Sequence, residues 1–356
     1  MRRADLGGNK SRIGCLKLRV GVVGLGPTWQ SRHQPALAAL SGRYEVRAVC
    51  DPVAHRAQQV AEEFHARPID GFRALAFAED IDAVLMLSGR WFGALPIHAA
   101  CDAGKAVYCG ASVEMQAEEA STLCDRVRRS GVAFMAELPF RLAPATIRLK
   151  ELIATRLGEP RLMFCNERHV AQPCAEHSGP GGIKSGPPSH TRRLIEMVDW
   201  CRYVAASEPT SVQCATHPST SGTEEHDYSL VTLEFEPDAS APGRPVLAQI
   251  ACGGYVPSGW TEAAAFRRAA DLQVVCERGI AFLDLPGSLV WFDEAGQHIE
   301  SLQDERPLGE QLLMQFHRSV SSLVLRPSSL EDAFRAMGIV LAAQRSAKSG
   351  QRTDCR

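Results

Sequence analysis

Between residues 18 and 136 the chain alternates short apolar runs with stretches of helical spacing. Val20–Val23, Val46–Cys50, Ile81–Leu87, Val107–Tyr108 and Val132–Met135 are apolar runs bounded by glycine or charge, the pattern of strands buried on both faces. Between them His33–Leu40, Ala54–Phe64, Ala94–Ala103 and Ala117–Ser130 carry apolar residues at helical spacing, and Gly104 and Gly131 mark stops. Strands spaced by helices predict a doubly wound parallel sheet in an α/β unit.

After residue 140 the rhythm changes. Ala145–Leu157 reads as a helix closed by Gly158, Arg161–Glu167 as a strand and Arg192–Val204 as an amphipathic helix. The segment between, Ala171–Ser189, is rich in Pro, Gly and Ser and reads as a long loop. Tyr228–Glu236, Pro245–Gly253, Asp271–Glu277, Ala281–Leu285 and Leu289–Asp293 read as strands without intervening helices, which predicts an α+β unit with a large open, mostly antiparallel sheet. Arg335–Ser349 is a closing helix. The expected division is a flexible arm at 1–17, a dinucleotide-binding unit at 18–140, a substrate and assembly unit at 141–334, and a C-terminal helix and tail at 335–356.

Composition narrows the function classes. At 356 residues, 45% hydrophobic and 22% charged, the chain is an ordinary globular one with room for two cores. A net charge of −2 gives no electrostatic reason to expect nucleic acid or an anionic membrane, and no apolar run reaches transmembrane length. The twelve cysteines are scattered without a Cys-x-x-Cys pair, so the expectation is reduced thiols, a cytoplasmic location and no metal site.

The strongest chemical signal is the turn after the first strand. Val20–Val23 runs directly into Gly24 and Gly26, and the second strand ends in Asp51. Strand, glycine turn, helix, strand and acid is the layout of a dinucleotide-binding unit: the glycines permit a tight turn and close approach to a pyrophosphate, and the acid accepts from the ribose hydroxyls. The third glycine of the usual pattern is replaced by Trp29, whose indole is expected either to cover the phosphates or to push them aside, and Pro27 occupies a turn position beside Thr28. A carboxylate at Asp51 repels a 2′-phosphate, so the expected cofactor is NAD rather than NADP, with Arg56 one helical turn on as the opposing signal.

Several further segments carry a resemblance. Val-Cys-Asp-Pro at 49–52, Ile-Asp-Ala-Val at 81–84, Ala-Gly-Lys-Ala-Val at 103–107, Arg-Leu-Ala-Pro-Ala-Thr at 141–146, Leu-Gly-Glu-Pro at 157–160 and Ser-Leu-Glu-Asp-Ala-Phe at 329–334 resemble the Gfo/Idh/MocA family, the glucose–fructose oxidoreductase and inositol dehydrogenase group. The resemblance runs from Leu18 to Gly350. It implies a Rossmann domain beside an α/β domain and hydride exchange between nicotinamide and a sugar, polyol or related carbonyl. It places Ser88, Gly89 and Gly110 at the cofactor. It also marks departures. Where the family has Glu-Lys-Pro, with a lysine that assists proton transfer, this chain has Gly110, Ala111 and Ser112. Its Asp-x-Gly-x-His-x-x-Asp motif falls on Arg192 to Asp199, with Arg192 for the first Asp, Glu196 for the His, and Asp199 kept.

Candidate catalytic residues are therefore Glu196, Asp199 and His190. Glu196 and Asp199 are three apart and share a helix face. On a cleft face Glu196 is a replacement base; on a solvated face Asp199 simply pairs with Arg202. Arg141, Trp91 and Arg192 are candidate substrate contacts, Arg141 having an interdomain ion pair as its alternative role. Glu137 faces the same choice as Arg141, and Tyr108 is a substitute acid or a core residue. Two functions stand: an oxidoreductase with an altered proton-transfer site on a small, sugar-like substrate, or a catalytically inactive NAD-binding sensor or regulatory protein. A sheet with helices on one side predicts a homodimer or homotetramer through residues 228–293.

Overall fold

The computed structural model describes residues 17–26, 28–88, 92–110, 117–170, 190–218, 226–236, 245–257, 259–303, 306–321 and 328–355. Six strands form the first sheet: β1 (Leu18–Val23), β2 (Tyr44–Cys50), β3 (Arg67–Pro68), β4 (Ala83–Met86), β5 (Ala106–Cys109) and β6 (Phe134–Ala136). Their order is β3-β2-β1-β4-β5-β6 and every pairing is parallel. Helices α1 (Gln34–Ala39), α2 (Ala54–Phe64), α3 (Phe72–Ala76), α4 (Leu95–Asp102) and α5 (Ala117–Ser130) connect them. The sheet thus has the doubly wound Rossmann topology, with β4 and β5 buried at every position because helices cover both faces.

The predicted helix at 33–40 differs at its start. A five-residue π-turn, Trp29–His33, precedes α1. Such a turn absorbs an extra residue without ending the helix. It rotates Trp29 inward, where the indole is 4% exposed and meets Phe64 edge-on at 6.0 Å.

The second sheet has nine strands: β7 (Pro160–Val170), β8 (Pro209–Pro218), β9 (His226–Phe235), β10 (Val246–Val256), β11 (Leu272–Cys276), β12 (Ile280–Asp284), β13 (Ser288–Asp293), β14 (Gly296–Ser301) and β15 (Thr353–Asp354). Their order is β14-β13-β12-β11-β7-β10-β9-β8-β15, and all pairs are antiparallel except β10 with β7. Alternation sends Met163, Cys165, Ile250, Val274 and Leu283 into the core, beneath α6 (Pro144–Leu152), α7 (His190–Ala205) and α10 (Ser328–Ser349). The short α8 (Thr261–Ala265) lies beside β7 and β10. The alternate residues leave Leu162, Leu247 and Ile299 on the uncovered face.

Helix α9 (Leu308–Ser321) returns to the first sheet although it follows strands β7 to β14 of the second. Leu312, Leu313 and Phe316 are buried against Leu18, Tyr44 and Tyr108, and the Tyr44 hydroxyl donates to the Leu313 carbonyl at 2.5 Å. The segment 308–321, which the sequence reading places in the second unit, is part of the first unit's core.

Helix α7 positions the site. Twelve of its sixteen residues are buried, including Arg192, Glu196, Asp199 and Arg202. A helix enclosed on all sides must pair its charges internally. Trp200 anchors it: its indole N–H donates to the Thr146 hydroxyl at 2.9 Å.

Candidate functional site

The glycine turn lies at the carboxyl ends of the parallel strands, where α/β sheets bind ligands. Gly24 has φ +74°, and its N–H continues the β1–β2 ladder to the Cys50 carbonyl at 2.8 Å. A side chain at Gly26 is impossible, because a Cβ there would sit 2.3 Å from the Leu87 carbonyl oxygen. Ser88 abuts Gly24, whose Cβ would meet the serine Cβ at 2.9 Å. Asp51 braces this turn: its carboxylate accepts from Leu25 N–H at 2.8 Å and from Val53 N–H at 2.9 Å. A carboxylate has about four lone-pair positions, so acceptor capacity remains for ribose hydroxyls. Arg56 donates to the Leu25 carbonyl at 2.6 Å and stands 3.9 Å from Asp51. The turn therefore fits a dinucleotide.

Three expectations about this turn are corrected or bounded. The Trp29 indole neither covers nor displaces phosphates, because the π-turn buries it. Thr28 caps the turn through its carbonyl, which accepts from Arg32 N–H at 2.9 Å, and its hydroxyl lies 3.3 Å from His33 Nδ1. Pro27, Gly89 and Trp91 lie outside the described residues.

Gly110 continues β5 by donating to the Met86 carbonyl at 2.9 Å. Beside it lies a buried ionic cluster that the sequence only partly indicates. Glu137, one residue past β6, accepts from Arg32 Nη1 at 2.6 Å, and its other oxygen is 3.5 Å from His33 Nε2 and 3.7 Å from Arg192 Nη2. Burial works to raise the Glu137 pKa, but His33, Arg32 and Arg192 outweigh it and hold the carboxyl at about 2. Arg32 and His33 are missed by sequence reasoning because nothing in a helix spacing announces a partner a hundred residues away. Tyr108 is a core residue, fully buried between His33 and Phe316.

From the other side α7 brings Arg192 and Glu196. Arg192 Nε donates to Glu196 at 3.0 Å, Arg193 donates to its second oxygen at 3.2 Å, and Arg193 also pairs with Glu167 at 2.9 Å. Burial raises the Glu167 pKa, with Arg193 opposing. Glu137, Arg192 and Glu196 together line one cavity, which extends from Cys109 on β5 to Phe334 and Met337 on α10. The face of α7 that carries Glu196 is thus a cavity wall.

The other candidates are not brought together. Asp199, though it shares a helix face with Glu196, accepts both hydrogen bonds of an Arg141 fork at 2.7 and 2.5 Å and a third from Arg202 at 3.1 Å. Arg141 also donates to Asp332 at 2.7 Å. These geometries correct two expectations: Asp199 pairs as in its plainer reading, and the Arg141 guanidinium is spent on carboxylates of α7 and α10 rather than turned to a substrate. His190, the first residue of α7, faces the second sheet, with Nε2 2.8 Å from Ser229 Oγ and Nδ1 3.9 Å from Cys252 Sγ.

Residues 18–138 match the model of an oxidoreductase family with an NAD-binding Rossmann fold, Gfo/Idh/MocA. Inositol 2-dehydrogenase 3 of Saccharopolyspora erythraea is 27% identical over 228 residues, 64% of this chain and 65% of that one. The uncharacterized oxidoreductase YrbE of Bacillus subtilis is 26% identical over 55% of this chain and 58% of its own length. The chain spans less than two thirds of either relative. Among solved structures, aldose-aldose oxidoreductase of Caulobacter crescentus superposes with TM-score 0.77 at 15% identity, covering 95% of this chain and 99% of that one. UDP-N-acetylglucosamine 3-dehydrogenase GnnA of Acidithiobacillus ferrooxidans does so with TM-score 0.74 at 18% identity, covering 94% and 99%. These structural likenesses establish the shared fold.

The Glu137 cluster makes stability depend on pH with a definite sign. Its folded pKa of about 2 lies below the usual carboxylate value, so its contribution is complete above the unfolded pKa and is lost as pH falls toward 2. Glu137→Gln should cost about 3–5 kcal/mol at pH 7, because Arg192 loses a buried partner. Urea unfolding at a series of pH values should show wild type and variant converging between about pH 4.5 and 2.5. A difference that stays constant over that range contradicts the assignment.

Proposed function

We propose, from the match of residues 18–138 to the Gfo/Idh/MocA oxidoreductase family, that the chain is a nicotinamide-dependent oxidoreductase acting on a sugar, polyol or related carbonyl, with a rearranged proton-transfer site. The observation that carries this reading is the meeting of Glu137, Arg192 and Glu196 in one cavity beside the carboxyl end of β5. The backbone of Gly24, Gly26, Ser88 and Gly110 and the Asp51 carboxylate would hold the cofactor. Bound nicotinamide would supply the hydride exchange.

The chain's own residues supply the rest. Ala111 has no ionisable group where the family keeps its lysine, so it can neither take nor give a proton. Glu196 is the candidate replacement: it stands in the sequence at the position of the family's histidine, on a cavity wall. Arg192 and Arg193 hold its two oxygens and so fix where the carboxylate points. Arg192 also orders Glu137 across the same space.

The same two arginines support a second reading. Both Glu196 oxygens are already engaged by guanidiniums, as in a purely structural ion pair, and that favours a catalytically inactive NAD-binding sensor. Glu196→Gln separates the two. In the oxidoreductase, turnover falls roughly 10²-fold or more while NAD affinity stays within a few-fold. Unchanged turnover removes Glu196 from the proton-transfer step. Absence of turnover on every sugar, polyol and ketone, with NAD still bound, establishes the sensor.

For the cofactor the proposal is NAD over NADP. Asp51 puts negative charge where a 2′-phosphate would lie, and Arg56 is already committed to the Leu25 carbonyl. Fluorescence titration with NADH and NADPH should give NADH the lower dissociation constant, by about tenfold or more. Tighter NADPH binding reverses the choice.

A further inference from the structure

The cavity that holds Glu137, Arg192 and Glu196 is built mainly of hydrocarbon. It is a small cleft that opens to solvent on one side. Ten of its thirteen lining residues are apolar, among them Ile97, Leu123, Phe134, Leu138, Phe334 and Met337. These six come from five different elements or their edges, so the apolar lining is a property of the joint between the two units and not of one helix face.

The polar atoms are gathered on one side. Arg192 lies between Glu196 at 3.0 Å and Glu137 at 3.7 Å, and Arg32 holds the far oxygen of Glu137. These groups have one another as partners. Each further ligand hydroxyl pressed against the apolar wall would give up its water without replacement, which lowers affinity on the order of tenfold for each. A ring bearing hydroxyls all round its rim does not suit such a wall. The charges on this side balance one another: Arg32, Arg192 and Arg193 face Glu137, Glu196 and Glu167, so no net charge is left over to draw an ionic ligand.

We propose that this site takes a neutral ligand with an apolar alicyclic or aromatic body and a single polar end, an alcohol or its ketone, rather than a polyhydroxylated ring. The proposal rests on the oxidoreductase reading for the alcohol–ketone pair, and narrows it to the least hydroxylated part of its range. The apolar body packs between Phe134, Phe334 and Met337. The hydroxyl or carbonyl oxygen meets the Arg192–Glu196 pair.

The test compares three six-membered rings on the full chain by isothermal titration: cyclohexanol, myo-inositol and cyclohexanecarboxylate. Cyclohexanol and myo-inositol differ only in hydroxyl count, and the carboxylate adds charge. Cyclohexanol should bind at least about tenfold tighter than either of the others. Ala333→Phe, which fills the cavity from α10, should weaken cyclohexanol about tenfold or more and leave NADH binding unchanged. Ala333→Leu should give a smaller loss in the same direction and serves if the larger substitution unfolds the chain. Myo-inositol binding as tightly as cyclohexanol, or cyclohexanol binding insensitive to both substitutions, overturns the proposal. Turnover is a separate outcome. A chain that binds cyclohexanol as expected but transfers no hydride to or from any alcohol, sugar, polyol or ketone refutes the oxidoreductase reading and keeps this one, whereas turnover on myo-inositol does the reverse.

Discussion

A carboxylate buried at the end of a strand must be neutralised, and Glu137 is neutralised from both halves of the molecule. Arg32 reaches it from the turn that follows the glycines, and Arg192 reaches it from α7. Leaving either partner out would expose the other charges to the full cost of burial. This requirement links features that are otherwise unrelated. The π-turn at Trp29–His33 sets Arg32 and His33 toward Glu137 while sending the indole into the core. The missing side chain at Gly110 leaves room for them, since a Cβ there would lie 3.1 Å from Glu137 Oε2 and 3.2 Å from His33 Nε2. The register of α7 follows, and with it the place of Glu196.

A second ionic group holds the other end of α7. Asp199 and Arg202 bind Arg141, Asp332 and Glu208, and Arg335 closes the group against Glu208. Burial raises the Asp199 pKa against the pull of Arg141 and Arg202, which is the mark of a charge kept by its neighbours rather than by water. The helix therefore divides its charges along its length. The first turns serve the cavity and the later turns serve the joint with α10. Residues three apart on one face end in different surroundings because the surface opposite changes from cavity to packed helix within one turn.

Much of the first unit was legible. Its strands are apolar runs with period-breaking glycines, and Ala54–Phe64 and Ala117–Ser130 begin and end where the pattern says. The glycine turn and Asp51 were legible because their chemistry needs those residue types. What was not legible depends on distant partners. The inward turn of Trp29 requires a π-turn that no spacing rule predicts. The return of α9 to the first sheet is decided by packing, although Leu308, Leu312, Leu313 and Phe316 do carry a helical period in a region otherwise rich in strands. Strand β8 was hidden by Gln213, Thr216 and His217, which break its apolar pattern without preventing its pairing with β9. In the site, Glu196 was visible through its position in a motif. The roles of Asp199 and Arg141 stood only as one of two alternatives each, because a charged residue carries no sign of which opposite charge will reach it.

The central claim is that Glu137 and Arg192 are coupled across the joint between the two units. A double-mutant cycle on unfolding free energy, with Glu137→Gln, Arg192→Met and the combination, measures that coupling directly. The account predicts that the losses are not additive, with an interaction energy of about 1–3 kcal/mol. Losses that add to within about 0.5 kcal/mol would mean that the two residues are independent, and that something other than this pair ties α7 to the end of β6.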